Sequence, residues 1–193
     1  MILGISGSPR EGSNTEYLVK VALEAAEEVS GEETEFISVR DLDISPCRAC
    51  DECVETGECA VEDDMQDVYE LMRECDGMIV GSPVYYGGVS AQLKALMDRT
   101  RPLRINWELK DKVGGAIAVG GARNGGQEHT LRDIQNFFMI HAMIVVGDSD
   151  PTAHFGGAGV GLEPGDVKED EEGVETARNT GKRVGEVVKL IKG

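Results

Sequence analysis

Four of the five cysteines, Cys47, Cys50, Cys53 and Cys59, fall within thirteen residues at the spacing C-x2-C-x2-C-x5-C. Zinc sites usually pair two C-x2-C knuckles a dozen or more residues apart, whereas three cysteines at successive x2 spacings suit a cubane [4Fe-4S] cluster. There is a single run, so Cys59 is expected to close the same cluster. Zinc, or labile thiols and a disulfide, are the alternatives. The N-terminus enters an apolar strand pattern rather than a charged leader, so a cytoplasmic, reducing setting is expected and disulfides are disfavoured.

A second constellation spans Ser6 to Thr15, reading Ser-Gly-Ser-Pro-Arg-Glu-Gly-Ser-Asn-Thr, between an apolar run and an amphipathic helical pattern. A strand turning through Gly7, Pro9 and Gly12 into a helix places free N–H groups and the positive end of the helix dipole at the strand's carboxyl end. Ser6, Ser8, Ser13, Asn14 and Thr15 add side-chain donors, and Arg10 adds a fixed charge. The nucleoside-triphosphate loop requires Lys where Ser13 stands, and Gly4, Gly7 and Gly12 do not give Gly-x-Gly-x-x-Gly. A terminal phosphate, as in FMN, fits best.

Two further loops are suited to a flat ring. Ser82 to Gly88 is apolar, aromatic and glycine-rich: Pro83, Val84, Tyr85 and Tyr86 offer contact to an isoalloxazine, and Gly87 lets backbone amides approach its polar rim. Gly120 to Gly126 holds four glycines in seven residues, with Gly121 and Gly126 allowing close approach and Arg123 and Asn124 able to bond flavin carbonyls or a nicotinamide donor.

These residues carry a family resemblance. Ser6 to Thr15 resembles the FMN-phosphate loop of the flavodoxin-like NAD(P)H-dependent FMN reductases, and more closely that of the iron-sulfur flavoproteins. Ser82 to Arg99 resembles the family's flavin-ring loop and following helix, Gly120 to Gly126 its second flavin loop, and the cysteine spacing its compact cluster motif. The resemblance implies a homodimer or homotetramer that holds FMN non-covalently. It implies a flavin-dependent oxidoreductase that moves electrons from a ferredoxin-like donor through cluster and FMN to a small acceptor such as oxygen, peroxide or a quinone. The alternatives are an NAD(P)H-dependent FMN or quinone reductase with a structural cysteine run, and a non-catalytic carrier or redox sensor. No catalytic side chain is singled out.

The elements that must position these loops follow from periodicity. Met1 to Ser6, Thr34 to Val39, Gly77 to Gly81, Val113 to Val119 and Met143 to Gly147 read as strands; the apolar runs without polar alternation are those of strands buried on both faces. Between them, Leu18, Val21, Ala22, Ala25 and Val29 mark a helix closed by Gly31. Met65, Val68, Leu71 and Met72 mark a second helix after Asp63 and Asp64, and Leu93, Leu96 and Met97 a third capped by Ser90. Leu131, Ile134 and Phe138 mark a fourth, and Val174, Ala177, Val184, Val187 and Ile191 a last one. Alternating strands and helices predict one α/β domain over 1–193, flavodoxin-like and doubly wound, with a five-stranded parallel sheet of order 2-1-3-4-5 in three α/β/α layers. The cysteine run is an insertion at 44–62, and 148–193 forms a C-terminal arm and helix. The glycine- and proline-rich stretch Asp148 to Lys168 is expected at an interface or over a site. The cysteine loop leaves the second strand, so cluster and flavin are expected near one another, with the shortest distance between subunits of a dimer.

The formal net charge of −17 argues against nucleic acid or anionic membrane as a partner. No apolar stretch approaches the ~20 residues needed to span a bilayer. Cys75 reads as a buried core thiol. His129, His141 and His154 read as structural or surface residues, and Trp107 as an interface anchor.

Overall fold

A computed structural model describes residues 1–193. Parallel strands run in the order β2-β1-β3-β4-β5, with β1 Ile2–Ser6, β2 Thr34–Ser38, β3 Gly77–Pro83, β4 Val113–Gly120 and β5 Ile144–Val146. A sixth strand, β6 Gly157–Val160, also pairs with β4. β5 pairs with Val113 to Gly115 and β6 with Ile117 to Gly120. The fifth strand of the expected sheet is therefore split in two around residues 147–156. Periodicity misses β6 because its sequence, Gly-Ala-Gly-Val, reads as a turn. Small residues are needed there: a Cβ at Gly157 would lie 2.9 Å from the Ala177 backbone.

Side chains of successive strand residues alternate between the two faces. Ile2, Ile79, Val113, Ile117 and Val119 pack with α1 (Asn14–Ser30) and α7 (Glu171–Lys192). Leu3, Ile5, Met78, Val80, Ala116 and Ala118 pack with α3 (Met65–Glu74), α4 (Ala91–Arg99) and α6 (Gln127–Ile140). Two glycines show how tight these layers are. A Cβ at Gly114 would sit 2.6 Å from the Phe138 ring, and one at Gly181 of α7 would sit 1.9 Å from the Ala22 carbonyl of α1. Ile191, expected on the inner face of α7, is half-exposed because the last turn runs past the sheet. Two short helices escape periodicity: α2 (Glu52–Thr56), inside the cysteine run, and α5 (Arg101–Ile105). No helix is long and apolar enough to cross a membrane.

Cys75 is buried, and burial pushes its thiol up to about 11. His141 is buried as well. The Thr100 hydroxyl donates to the Met97 carbonyl, so at 2.9 Å its oxygen must accept from His141 Nε2–H, leaving buried Nδ1 unprotonated and without a partner. Burial, reinforced by Arg104, lowers its pKa to about 4. The unfolded chain takes up this proton first on acidification, so the neutral imidazole contributes stability that is present above pH ~6.5 and lost as pH falls to about 4. The expected loss is on the order of 3 kcal/mol across that window. His141→Gln should show a flatter urea-unfolding profile than the native protein between these pH values; parallel profiles would remove His141 from the acid transition.

Candidate functional site

The turn after β1 feeds directly into α1. Ser13 caps that helix, its Oγ accepting from the Glu16 N–H at 3.1 Å, and Gly12 takes a positive φ that makes the turn. The other N–H groups of the first turn are left for an anion. Ser8, Arg10, Ser13, Asn14 and Thr15 line a cleft of about 110 Å³, joined by Pro83, Val84 and Tyr85 after β3 and by Val119 and Gly121 at the end of β4. The Ser82 hydroxyl holds the tyrosine loop, accepting from Ser90 N–H at 3.0 Å, and Ser90 Oγ–H reaches the Gly7 carbonyl. Three loops at the carboxyl edge of the sheet thus meet at the switch point between β1 and β3.

The remaining cofactor candidates stand elsewhere. Ser6 is buried with its hydroxyl unpartnered and does not line the cleft. Tyr86 is fully exposed with φ 51°, and Gly87 beside it has φ 82° with open space around it. Gly126, with φ 108°, starts α6, where a Cβ would press on Val84 at 3.1 Å. Arg123 departs most from expectation. Its guanidinium pairs with Asp170 and donates to the Ala158 carbonyl, which ties this loop to the start of α7 instead of to the cleft.

Asn14 also has other work than expected. Its Nδ2 donates to the Glu163 carbonyl at 2.8 Å, and its Oδ1 accepts from Gly165 N–H at 2.8 Å. Arg10 donates to the Leu162 carbonyl at 3.0 Å. These bonds draw the C-terminal arm over the cleft, where Gly161, Leu162 and Pro164 complete its lining. Sequence reasoning places the arm over a site but does not name these residues, since their contacts reach back some 150 positions. Arg10 is exposed, so Arg10→Ala should weaken FMN only about tenfold, the low end for a charge-assisted contact. Fluorescence titration of the apoprotein measures this; native affinity would exclude Arg10 as a phosphate ligand.

The four run cysteines border one further cavity, together with Arg99, Arg101 and Pro102. All are free thiols. Cys53 is on α2 and buried, Cys59 half-buried, and Cys47 and Cys50 exposed. The four cysteines line this cavity without forming, as they stand, a group that would hold a metal ion. Metal binding deprotonates its thiol ligands and is coupled to folding of the site. Four thiols about one cavity, with arginines beside them, fit the donor set of an anionic cluster.

Buried ion-pair chemistry fixes the ends of this segment. Arg99 Nη1 donates to Asp63 Oδ2 at 2.6 Å and to the Ser45 carbonyl at 2.9 Å. Its Nη2 donates to Asp63 Oδ1 at 3.0 Å and to the Val61 carbonyl at 2.9 Å. The side chains of Arg99 and Asp63 are only 1% and 8% exposed. Burial opposes ionisation of Asp63, but the Arg99 guanidinium and the N–H groups of Ser45 and Met65 outweigh it and hold the carboxyl below its usual range. Asp63 therefore does more than start α3. The cysteine cavity borders the C-terminal end of α4 and the start of α5, whereas Ser90, at the other end of α4, abuts the phosphate turn. Nine residues of helix separate them, about 13 Å. Cluster cavity and flavin cleft in one chain share no lining residue.

The family model for NADPH-dependent FMN reductase matches residues 1–157. An iron-sulfur flavoprotein of Methanocaldococcus jannaschii is 62% identical over 191 residues, covering 99% of this chain and 98% of that protein. The chain belongs to this family, among its iron-sulfur flavoproteins. An iron-sulfur flavoprotein of Methanosarcina thermophila is 47% identical over 192 residues, covering 99% of this chain and 96% of its own. Among solved structures, a flavodoxin, WrbA-like protein of Agrobacterium tumefaciens superposes with a TM-score of 0.67 at 20% identity, covering 98% of this chain and 96% of that one, which speaks to fold alone. Family membership makes the protein a flavin-dependent oxidoreductase. The matched region ends at residue 157, before Gly161, Leu162 and Pro164, which complete the cleft.

Proposed function

We propose that this flavoprotein takes single electrons from a ferredoxin-like donor at a [4Fe-4S] site formed by Cys47, Cys50, Cys53 and Cys59. It delivers them from FMN to a small acceptor such as oxygen, peroxide or a quinone. The observation that carries the reading is the pairing, on one chain, of four thiols about one cavity with a phosphate-type cleft at the flavodoxin switch point. The bound groups supply one-electron exchange and the coupling of one- to two-electron steps. The chain's own residues bind and shield. Ser8, Ser13, Thr15 and the first turn of α1 hold the phosphate, Arg10 adds charge, and Pro83, Val84, Tyr85 and Gly121 bound the ring. Leu162 and Pro164 keep water from the phosphate end.

The separation of the two sites along α4 favours transfer to the flavin of a second copy, in a homodimer or homotetramer. Tyr86, Trp107, Ile140 and Phe155 are exposed apolar side chains suited to such contacts. A second reading, direct reduction by NAD(P)H, is favoured by the family's description. Stopped-flow mixing separates the two. Fast flavin bleaching by reduced ferredoxin with slow bleaching by NADPH is expected; the reverse order would establish the reductase reading.

A further inference from the structure

Arg99 makes four hydrogen bonds through its two terminal nitrogens, and all of them hold the flanks of the cysteine segment: Ser45 on one side, Val61 and Asp63 on the other. Its fifth donor, Nε–H, is buried and has no partner. A buried donor left unpaired is disfavoured, more so when charged, so a group that completes it is expected. Arg99 lines the cysteine cavity, and its guanidinium neighbours the Cys59 thiol. Neither Tyr69 Oη, which donates to the Arg99 carbonyl, nor Thr100 Oγ1, which donates to the Met97 carbonyl, is hydrogen-bonded to that nitrogen.

We propose that Arg99 is a positioning residue for the cluster: its planar fork fixes both ends of the cysteine segment, and its free Nε–H donates to the sulfur shell. This rests on the [4Fe-4S] reading above. A donor to sulfur favours the reduced, more negative cluster, so the bond raises the reduction potential. Lysine at this position keeps the charge but loses both the fork and Nε–H.

The test compares anaerobically prepared wild-type protein with Arg99→Lys. FMN per chain reports folding, because the flavin cleft draws no residue from the cysteine segment. Iron and sulfide per chain in the wild type test the underlying reading by themselves: zinc without sulfide would end that reading and the inference with it. With a wild-type cluster present, Arg99→Lys should retain FMN, lose iron to a chelator at least tenfold faster, and shift the one-electron equilibrium against the cluster about tenfold, a fall of ~59 mV. Unchanged chelation rate and unchanged potential in a variant with full cluster content would overturn the proposal. Should the variant not fold, pulsed electron paramagnetic resonance of the reduced wild-type cluster with 15N-labelled arginine decides: a nitrogen coupling is expected, and its absence would overturn the Nε–H bond.

Discussion

Cys59→Ala is expected to abolish reduction of the flavin by ferredoxin while leaving FMN bound and reducible by dithionite. Three cysteines of the run cannot complete a cubane with four thiolate corners, and Cys59 is the half-buried member beside Arg99 and Tyr69. The flavin cleft contains none of the residues bordering the cysteine cavity, so the two losses should separate cleanly. The measurements are iron and sulfide content, FMN content, and the rate of ferredoxin-driven bleaching. Native ferredoxin activity in a variant shown to lack the cluster would remove the cluster from the electron path and leave direct reduction by NAD(P)H as the working reading.

Asp63→Ala should be among the most destabilising single substitutions in the chain. It leaves the Arg99 guanidinium in a site 1% exposed with no counter-charge, a situation that costs about 3–5 kcal/mol. It also frees the Ser45 and Met65 N–H groups that the carboxylate accepts at 2.9 and 3.1 Å. Against a typical domain stability of about 5–15 kcal/mol, the urea midpoint should fall sharply. Pairing it with Arg99→Met should recover part of the loss, because removing both charges ends the uncompensated burial. A loss under about 1 kcal/mol for the single variant would show that solvent reaches the pair and that the clamp is weak.

The elements that carry the fold were legible because each is announced by local chemistry. The apolar runs of β1, β3 and β4 can only be strands covered on both faces, and Gly31 and Ser90 stand where helices stop or start. The phosphate turn and the cysteine run were legible for the same reason: short spacings fix which side chains share a loop. What the sequence by itself determined is thus the doubly wound sheet, its switch point, and the chemistry offered at two loops.

Tertiary structure alone decided what those loops touch. Arg123 looks like a ligand until Asp170, 47 residues on, claims it; Asn14 looks like a phosphate donor until its amide meets 163–167. β6 is a strand because β4 offers it a ladder and α7 needs its glycines, not because of its own propensities. Asp63 and Arg99, 36 residues apart, become one clamp only when α4 brings the guanidinium under the cysteine segment. Burial and pairing over long sequence separations are properties of the packed chain, and no local pattern encodes which distant partner arrives first.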